Sequence, residues 1–191
     1  MTQYFAYRGF RLWRAPLHTR VLLTLFDVMM VLATMVGILM WRVRTHLNPA
    51  GVRAYYLGNE GSAGAGQPLL FARSFQELLD VTHAHAFSQS FLFFILCHLF
   101  ALTRVPSRWK VVVYVAAFGS VVIDLGTPYL VRYVSPVWAP LQVVNSALMT
   151  VVLGVLLVVP IHEMWFKREP TVRGTARRRR AAPRRAEEGG R

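Results

Sequence analysis

The chain has 191 residues, of which 54% are hydrophobic and only 16% charged, and this length fits a single domain. Its net charge of +13 resembles that of nucleic-acid-binding proteins, but the basic residues flank apolar stretches or fall near the C-terminus. With no soluble folded region to display a basic face, we expect topology-setting charge, contact with anionic lipid headgroups and no nucleic-acid partner.

Four apolar stretches are each near the roughly 20 residues that a membrane-spanning helix needs. They run over about 21–41, 74–103, 111–131 and 137–161. The sequence therefore predicts an all-α polytopic protein, an up-down bundle of four transmembrane helices within residues 1–166. Residues 42–73 are expected to form an outer loop, because they include a proline and a glycine-rich run.

The first predicted span contains one charge, Asp27, which could be a proton-binding group or could pair with Arg20 or His98, and the sequence favours the pairing. The second span opens with a capping-box pattern, Ser74 followed by Glu77.

Counts of Lys and Arg near the span ends indicate the orientation. Three segments are rich in basic residues and should lie on the cytoplasmic side: the segment before the first span, the connector 104–110 and the C-terminal segment. Both termini are then cytoplasmic. The Arg-rich tail, 167–191, has almost nothing apolar and is predicted to be disordered.

The second span is the most informative, because it carries three of the six histidines, His83, His85 and His98. Axial histidines from two helices hold haem b in helical bundles. At the outer level His83 or His85 could pair with His46, and at the inner level His98 could pair with His162. A metal clip made by His83 and His85 is a weaker hypothesis, because residues i and i+2 point to nearly opposite sides of a helix.

Polar residues of three spans fall at the same predicted depth in the outer half of the bundle: Gln89, Asp124, Gln142, Asn145 and Ser146. They suit a polar cavity that could hold a quinone headgroup, a proton path or a metal ion. The alternative interpretation is a set of interhelical hydrogen bonds that only hold the bundle together.

Residues Gln76 to Phe87, followed by His98, Leu99 and Phe100, resemble small uncharacterised four-helix proteins of the bacterial inner membrane. The resemblance implies that location and carries no function with it.

No catalytic signature of a hydrolase, transferase or kinase occurs, so an enzyme would be at most a redox subunit. The leading hypothesis is an inner-membrane subunit of an electron-transfer system that binds haem b or quinone and contacts other subunits. The alternatives are a cofactor-free structural or assembly protein and, less favoured, a small proton-coupled transporter.

Overall fold

A computed structural model describes Leu12, residues 15–61 and residues 69–166 of the chain. Within these parts it contains five α-helices and no strand. They are α1 (Leu17–Thr45), α2 (Pro49–Leu57), α3 (Phe75–Ala101), α4 (Ser107–Tyr129) and α5 (Ala139–Phe166). Four of them, all but α2, are long and apolar enough to cross a membrane, which confirms the predicted all-α fold with four spans. The predicted disordered tail lies outside the described residues.

The two ends of the bundle are identified by contacts between distant residues. At one end the Arg20 guanidinium of α1 donates to the Met164 carbonyl oxygen, near the end of α5. We call this the tail end, because α5 ends there. At the other end, the loop end, the Arg132 Nε donates to the Arg73 carbonyl oxygen just before α3 begins. Consecutive spans therefore run in opposite directions.

The expected outer loop, 42–73, differs from the structure because it contains helix α2. His46 and Leu47 adopt positive φ values of 52° and 55°, and this left-handed backbone ends α1. Asn48 then caps α2 by accepting a hydrogen bond from the Gly51 backbone N–H, and Pro49 occupies the first turn, where no N–H is needed. Nine residues are too few for a strong periodic signal, so the sequence analysis missed this helix.

The start of α3 agrees with the sequence. The Ser74 side chain accepts from the Glu77 backbone N–H, and the Glu77 carboxylate accepts from the Ser74 backbone N–H, so the predicted capping box is confirmed.

The connection between α4 and α5 is irregular. Pro128 lies inside α4, and a π-helical turn, Leu130–Val134, follows it. A short 3₁₀ turn, Pro136–Trp138, then leads into α5.

The core lies between α3, α4 and α5. Its fully buried side chains include Phe93, Leu96 and Phe100 of α3, Ala117 of α4 and Leu156 of α5. Ala117 lets the neighbouring helices approach closely, as small residues do in membrane bundles. Helix α1 is peripheral, and only two of its residues, Asp27 and Thr45, are buried.

Candidate functional site

The polar residues of the three core helices meet through one carboxylate. The Gln89 amide of α3 donates to Asp124 Oδ2 over 3.2 Å, and the Gln142 amide of α5 donates to Asp124 Oδ1 over 2.9 Å. Both oxygens of Asp124 on α4 are thus bonded to neighbouring helices. We call Gln89, Asp124 and Gln142 the amide–carboxylate network.

A second contact between α4 and α5 lies about one turn closer to the tail end of the bundle. Asn145, which is 2% exposed, donates to the Ser120 carbonyl oxygen over 2.9 Å. Ser146 donates to the Gln142 carbonyl oxygen of its own helix and makes no bond to a neighbouring helix that the structure describes. The structure therefore joins four of the five predicted cavity residues to other helices, three through the network and Asn145 through Ser120.

Three buried acceptor oxygens in the amide–carboxylate network and at Asn145 have no donor among the described residues. The side-chain amide oxygens of Gln89, Gln142 and Asn145 are buried and accept no hydrogen bond from the described residues. A buried acceptor without a donor costs free energy, so the arrangement suits a small donor such as a water molecule or a hydroxyl group.

The histidines of α3 lie outside this network: His83 and His85 are exposed on the surface of the bundle, and His98 is half-buried. His83 stacks on Phe87 with ring centroids 5.9 Å apart, Phe87 packs on Phe91 at 5.8 Å, and Phe94 packs on His98 at 5.8 Å. These five residues form one stripe along α3, which we call the α3 stripe. A shallow groove lies beside it, lined by Ser90, Phe91, Phe94 and Phe118.

His85 is on another side of the same helix and is also exposed. Its Nδ1 lies 2.9 Å from the Val81 carbonyl oxygen, so that nitrogen takes part in a bond within α3. The side chains of His83 and His85 therefore point apart, as the spacing predicts for a regular helix. Within the described ranges, no group of three or more His, Cys, Asp or Glu side chains is placed to hold a metal ion.

The remaining candidate histidines lie at opposite ends of the bundle. His46 is exposed at the end of α1, and α1 packs mainly against α5 and α2 rather than against α3. His162 is exposed near the end of α5, where its ring stacks on Phe166 with centroids 5.5 Å apart. The haem pairings of these residues with α3 histidines remain predictions.

The sequence analysis missed a buried acid at the tail end. Glu163 is 1% exposed and its Oε2 accepts from the Arg104 backbone N–H over 2.7 Å, while the Arg104 Nε lies 3.9 Å from Oε1. Lys110 donates from Nζ to the carbonyl oxygens of Ala101 and Thr103. The connector between α3 and α4 is thereby tied to α5. The signal for this residue is an isolated acid directly after an apolar span.

A cluster of tyrosine and arginine at the loop end was also missed, because it depends on α2. Arg44 donates to the Tyr55 hydroxyl over 3.2 Å, and the Arg73 guanidinium lies over the same ring, 4.7 Å from its centroid. Burial raises the pKa of the adjacent Tyr56 well above its ordinary value; Tyr55 and Asp124 add to this rise, and the two arginines oppose it. Tyr56 therefore stays a neutral phenol.

Asp27 departs from the expected pairing. It is 1% exposed, yet neither of its carboxylate oxygens accepts a hydrogen bond from Arg20, His98 or any other described residue. The prediction of a pair with Arg20 or His98 is therefore wrong in this structure. Arg20 instead donates to the Met164 carbonyl oxygen and lies over the Trp165 ring.

A family model, Aq_1264_TM, described as a transmembrane helical domain, matches residues 46–171, which include α2 through α5 and leave out α1. No curated protein and no solved structure matches the sequence.

Proposed function

Since the chain belongs to the Aq_1264_TM family of transmembrane helical domains, we propose that it is an accessory subunit of a membrane electron-transfer assembly that docks through α3. The integral membrane character is shared by the family. The redox role, the bacterial inner membrane and the cytoplasmic placement of both termini are parts of the proposal. The distribution of Lys and Arg supports the orientation.

One observation carries the proposal, the composition of the exposed side of α3. Polar side chains inside the hydrocarbon region are costly when they face lipid, and in membrane proteins they usually face a partner or a cavity. His83, His85, Ser88 and Ser90 are exposed on the surface of the described bundle. Helix α3 therefore suits contact with another membrane protein better than contact with lipid alone.

The redox part of the proposal rests on the α3 stripe. His83 and His98 are 15 residues apart on one face, which is about 22 Å along a helix at 1.5 Å per residue. That separation suits two ligands at opposite depths of a membrane. In this arrangement His83 or His98 would hold a haem together with a residue of another subunit, or the groove at Phe91 and Phe118 would receive the ring of a quinone.

The test begins with the protein purified from its native membrane in a mild detergent, together with whatever co-purifies. A Soret band and an α band in the dithionite-reduced sample, both lost in His83→Ala or His98→Ala, would support haem binding. If the second ligand of the haem comes from another subunit and not from His162, His162→Ala should keep both bands, and it then serves as the matched control. Extraction and chromatography of quinones from the same sample test the other cofactor.

A second function, that of a cofactor-free structural or assembly subunit, is favoured by the amide–carboxylate network. Its hydrogen bonds join α3, α4 and α5 and leave no carboxylate oxygen of Asp124 without a donor. This candidate predicts that α3 variants lose co-purifying partners while no chromophore or quinone is present. Finding a partner without any cofactor would reject the redox role and keep the docking role.

A further inference from the structure

The face of α1 that turns toward the bundle is polar. Arg20, Thr24, Asp27, Thr34 and Thr45 recur at spacings of three, four, seven and eleven residues, which places them on one side of a helix. The opposite side is apolar, and six of its residues are each more than half exposed: Leu22, Leu25, Met29, Leu32, Val36 and Val43. A helix placed in lipid needs no polar face, so this stripe requires an explanation.

Most of the stripe is satisfied by hydrogen bonds. Thr24, Thr34 and Thr45 each donate to the carbonyl oxygen four residues earlier in α1. Thr24 also accepts from the Trp165 indole N–H over 2.9 Å, which ties α1 to the end of α5. Two groups are exceptions: both oxygens of Asp27 and the Nε of Arg20 are buried without a hydrogen-bond partner among the described residues.

The position of Asp27 makes its charged form costly. It lies ten residues after Leu17, about 15 Å along α1 at 1.5 Å per residue, and so within the hydrocarbon region. An ionised carboxylate in such a place, with no counter-ion or donor among the described residues, is strongly unfavourable, whereas the neutral acid is much less so. Asp27 is therefore stable where it lies only when it carries a proton.

Among the described residues, no charged or titratable group around this position forms an ion pair or hydrogen bond with Asp27. On α3 the His98 ring packs on Phe94. On α1 itself Arg20 is two turns away, about 10 Å by helical rise, and is held by Met164 and Trp165. On α5 Glu163 is bonded to Arg104 and His162 stacks on Phe166. Helix α2, which also packs on α1, contacts the far, loop end.

We propose that Asp27 is a proton-binding site that exchanges its proton with water at the tail end of the bundle. The route follows the polar stripe, past the Thr24 hydroxyl and the Arg20 guanidinium, which occupy the next two turns toward that end. Thr34 lies on the same face, seven residues toward the loop end, and is not on this route. The ligand is one proton, taken up by the carboxylate to give the neutral acid and returned to water.

Infrared spectroscopy of the purified full-length protein in lipid tests the proposal directly. The carbonyl stretch of a protonated carboxylic acid is separate from the bands of carboxylates. At neutral pH we expect this band in the wild type and in Asp124→Asn, and its loss in Asp27→Asn. If Asp27→Asn does not fold, Asp27→Glu must shift the band instead. Absence of the band from the folded wild type would overturn the proposal.

Exchange and route are tested in D₂O with a matched pair of variants. We expect the band to shift as deuterium replaces the proton, more slowly in Thr24→Val than in the wild type and at the wild-type rate in Thr34→Val. A band that never shifts would show a sealed structural acid and reject exchange. Equal rates in both variants, or slowing only in Thr34→Val, would reject the tail-end route.

Discussion

The Gln142 side-chain amide of α5 donates to Asp124 Oδ1 of α4 over 2.9 Å, and this bond joins two helices inside the membrane. Asp124 Oδ2 accepts from Gln89 of α3. One carboxylate on the central helix of the core thus holds both of its neighbours. Direct bonds between side chains of different spans are strong determinants of helix rotation, since lipid offers no hydrogen-bonding alternative.

We expect Asp124→Leu to destabilise the bundle by about 1 to 2 kcal/mol, because two interhelical bonds are lost and two buried amides are left without an acceptor. Thermal unfolding in detergent, followed by circular dichroism, measures the loss. Asp80→Leu is the matched control, since Asp80 is an exposed acid near the start of α3. Equal effects of the two substitutions would contradict a structural role for the network.

Glu163→Ala should destabilise the tail end, by about 1 to 3 kcal/mol, because the Arg104 backbone N–H loses its acceptor within a buried contact. Hydrogen exchange should report the change as faster exchange of the Arg104 amide. Glu163→Gln retains an acceptor oxygen, so it is expected to be milder. If the glutamine variant is as damaging as the alanine variant, the charge rather than the hydrogen bond is what matters.

Ser74→Ala removes the cap of α3 and should cost about 1 kcal/mol of stability, as N-cap substitutions do elsewhere. The Ser74 side chain accepts from the Glu77 N–H, and the alanine variant leaves that donor to water. Gln76→Ala is a suitable control, since Gln76 is exposed in the same turn. Thermal unfolding distinguishes them, and a larger shift for the control would refute the capping contribution.

Gly51→Ala should disrupt the junction between α1 and α2. A Cβ at residue 51 would overlap the Thr45 carbonyl oxygen, which is backbone and has little room to move. Gly119→Ala provides the control, because a Cβ there meets nothing within 4 Å. Limited proteolysis is expected to cut the segment between α1 and α3 faster in the first variant only; unchanged cleavage would argue against the close contact.

Local features of the chain were predictable. The four spans follow from runs of apolar residues, and their ends differ from the structure by a few residues, as helix ends usually do. The cap at Ser74 follows from a pattern of four adjacent residues. Helix α2 was not predictable with the same ease, because it is short and begins directly after a left-handed turn at His46 and Leu47.

The candidate site was predictable only in part. Matching depths along the spans indicated that Gln89, Asp124 and Gln142 share one level, and the structure adds the hydrogen bonds. Nothing in the sequence indicated that the α3 stripe lies at the side of the bundle away from the core centre, or that Asp27 faces the core without a hydrogen-bond partner among the described residues.

The sequence by itself determined that the chain has four membrane-spanning segments, because insertion depends on the summed hydropathy of each local segment. Only the tertiary structure decided which side of each helix turns inward. In water an apolar stripe marks the buried face, but in lipid both faces of a span are apolar and packing selects the rotation. For this reason Asp27, a lone charge by sequence, proves to be the buried centre of a polar stripe.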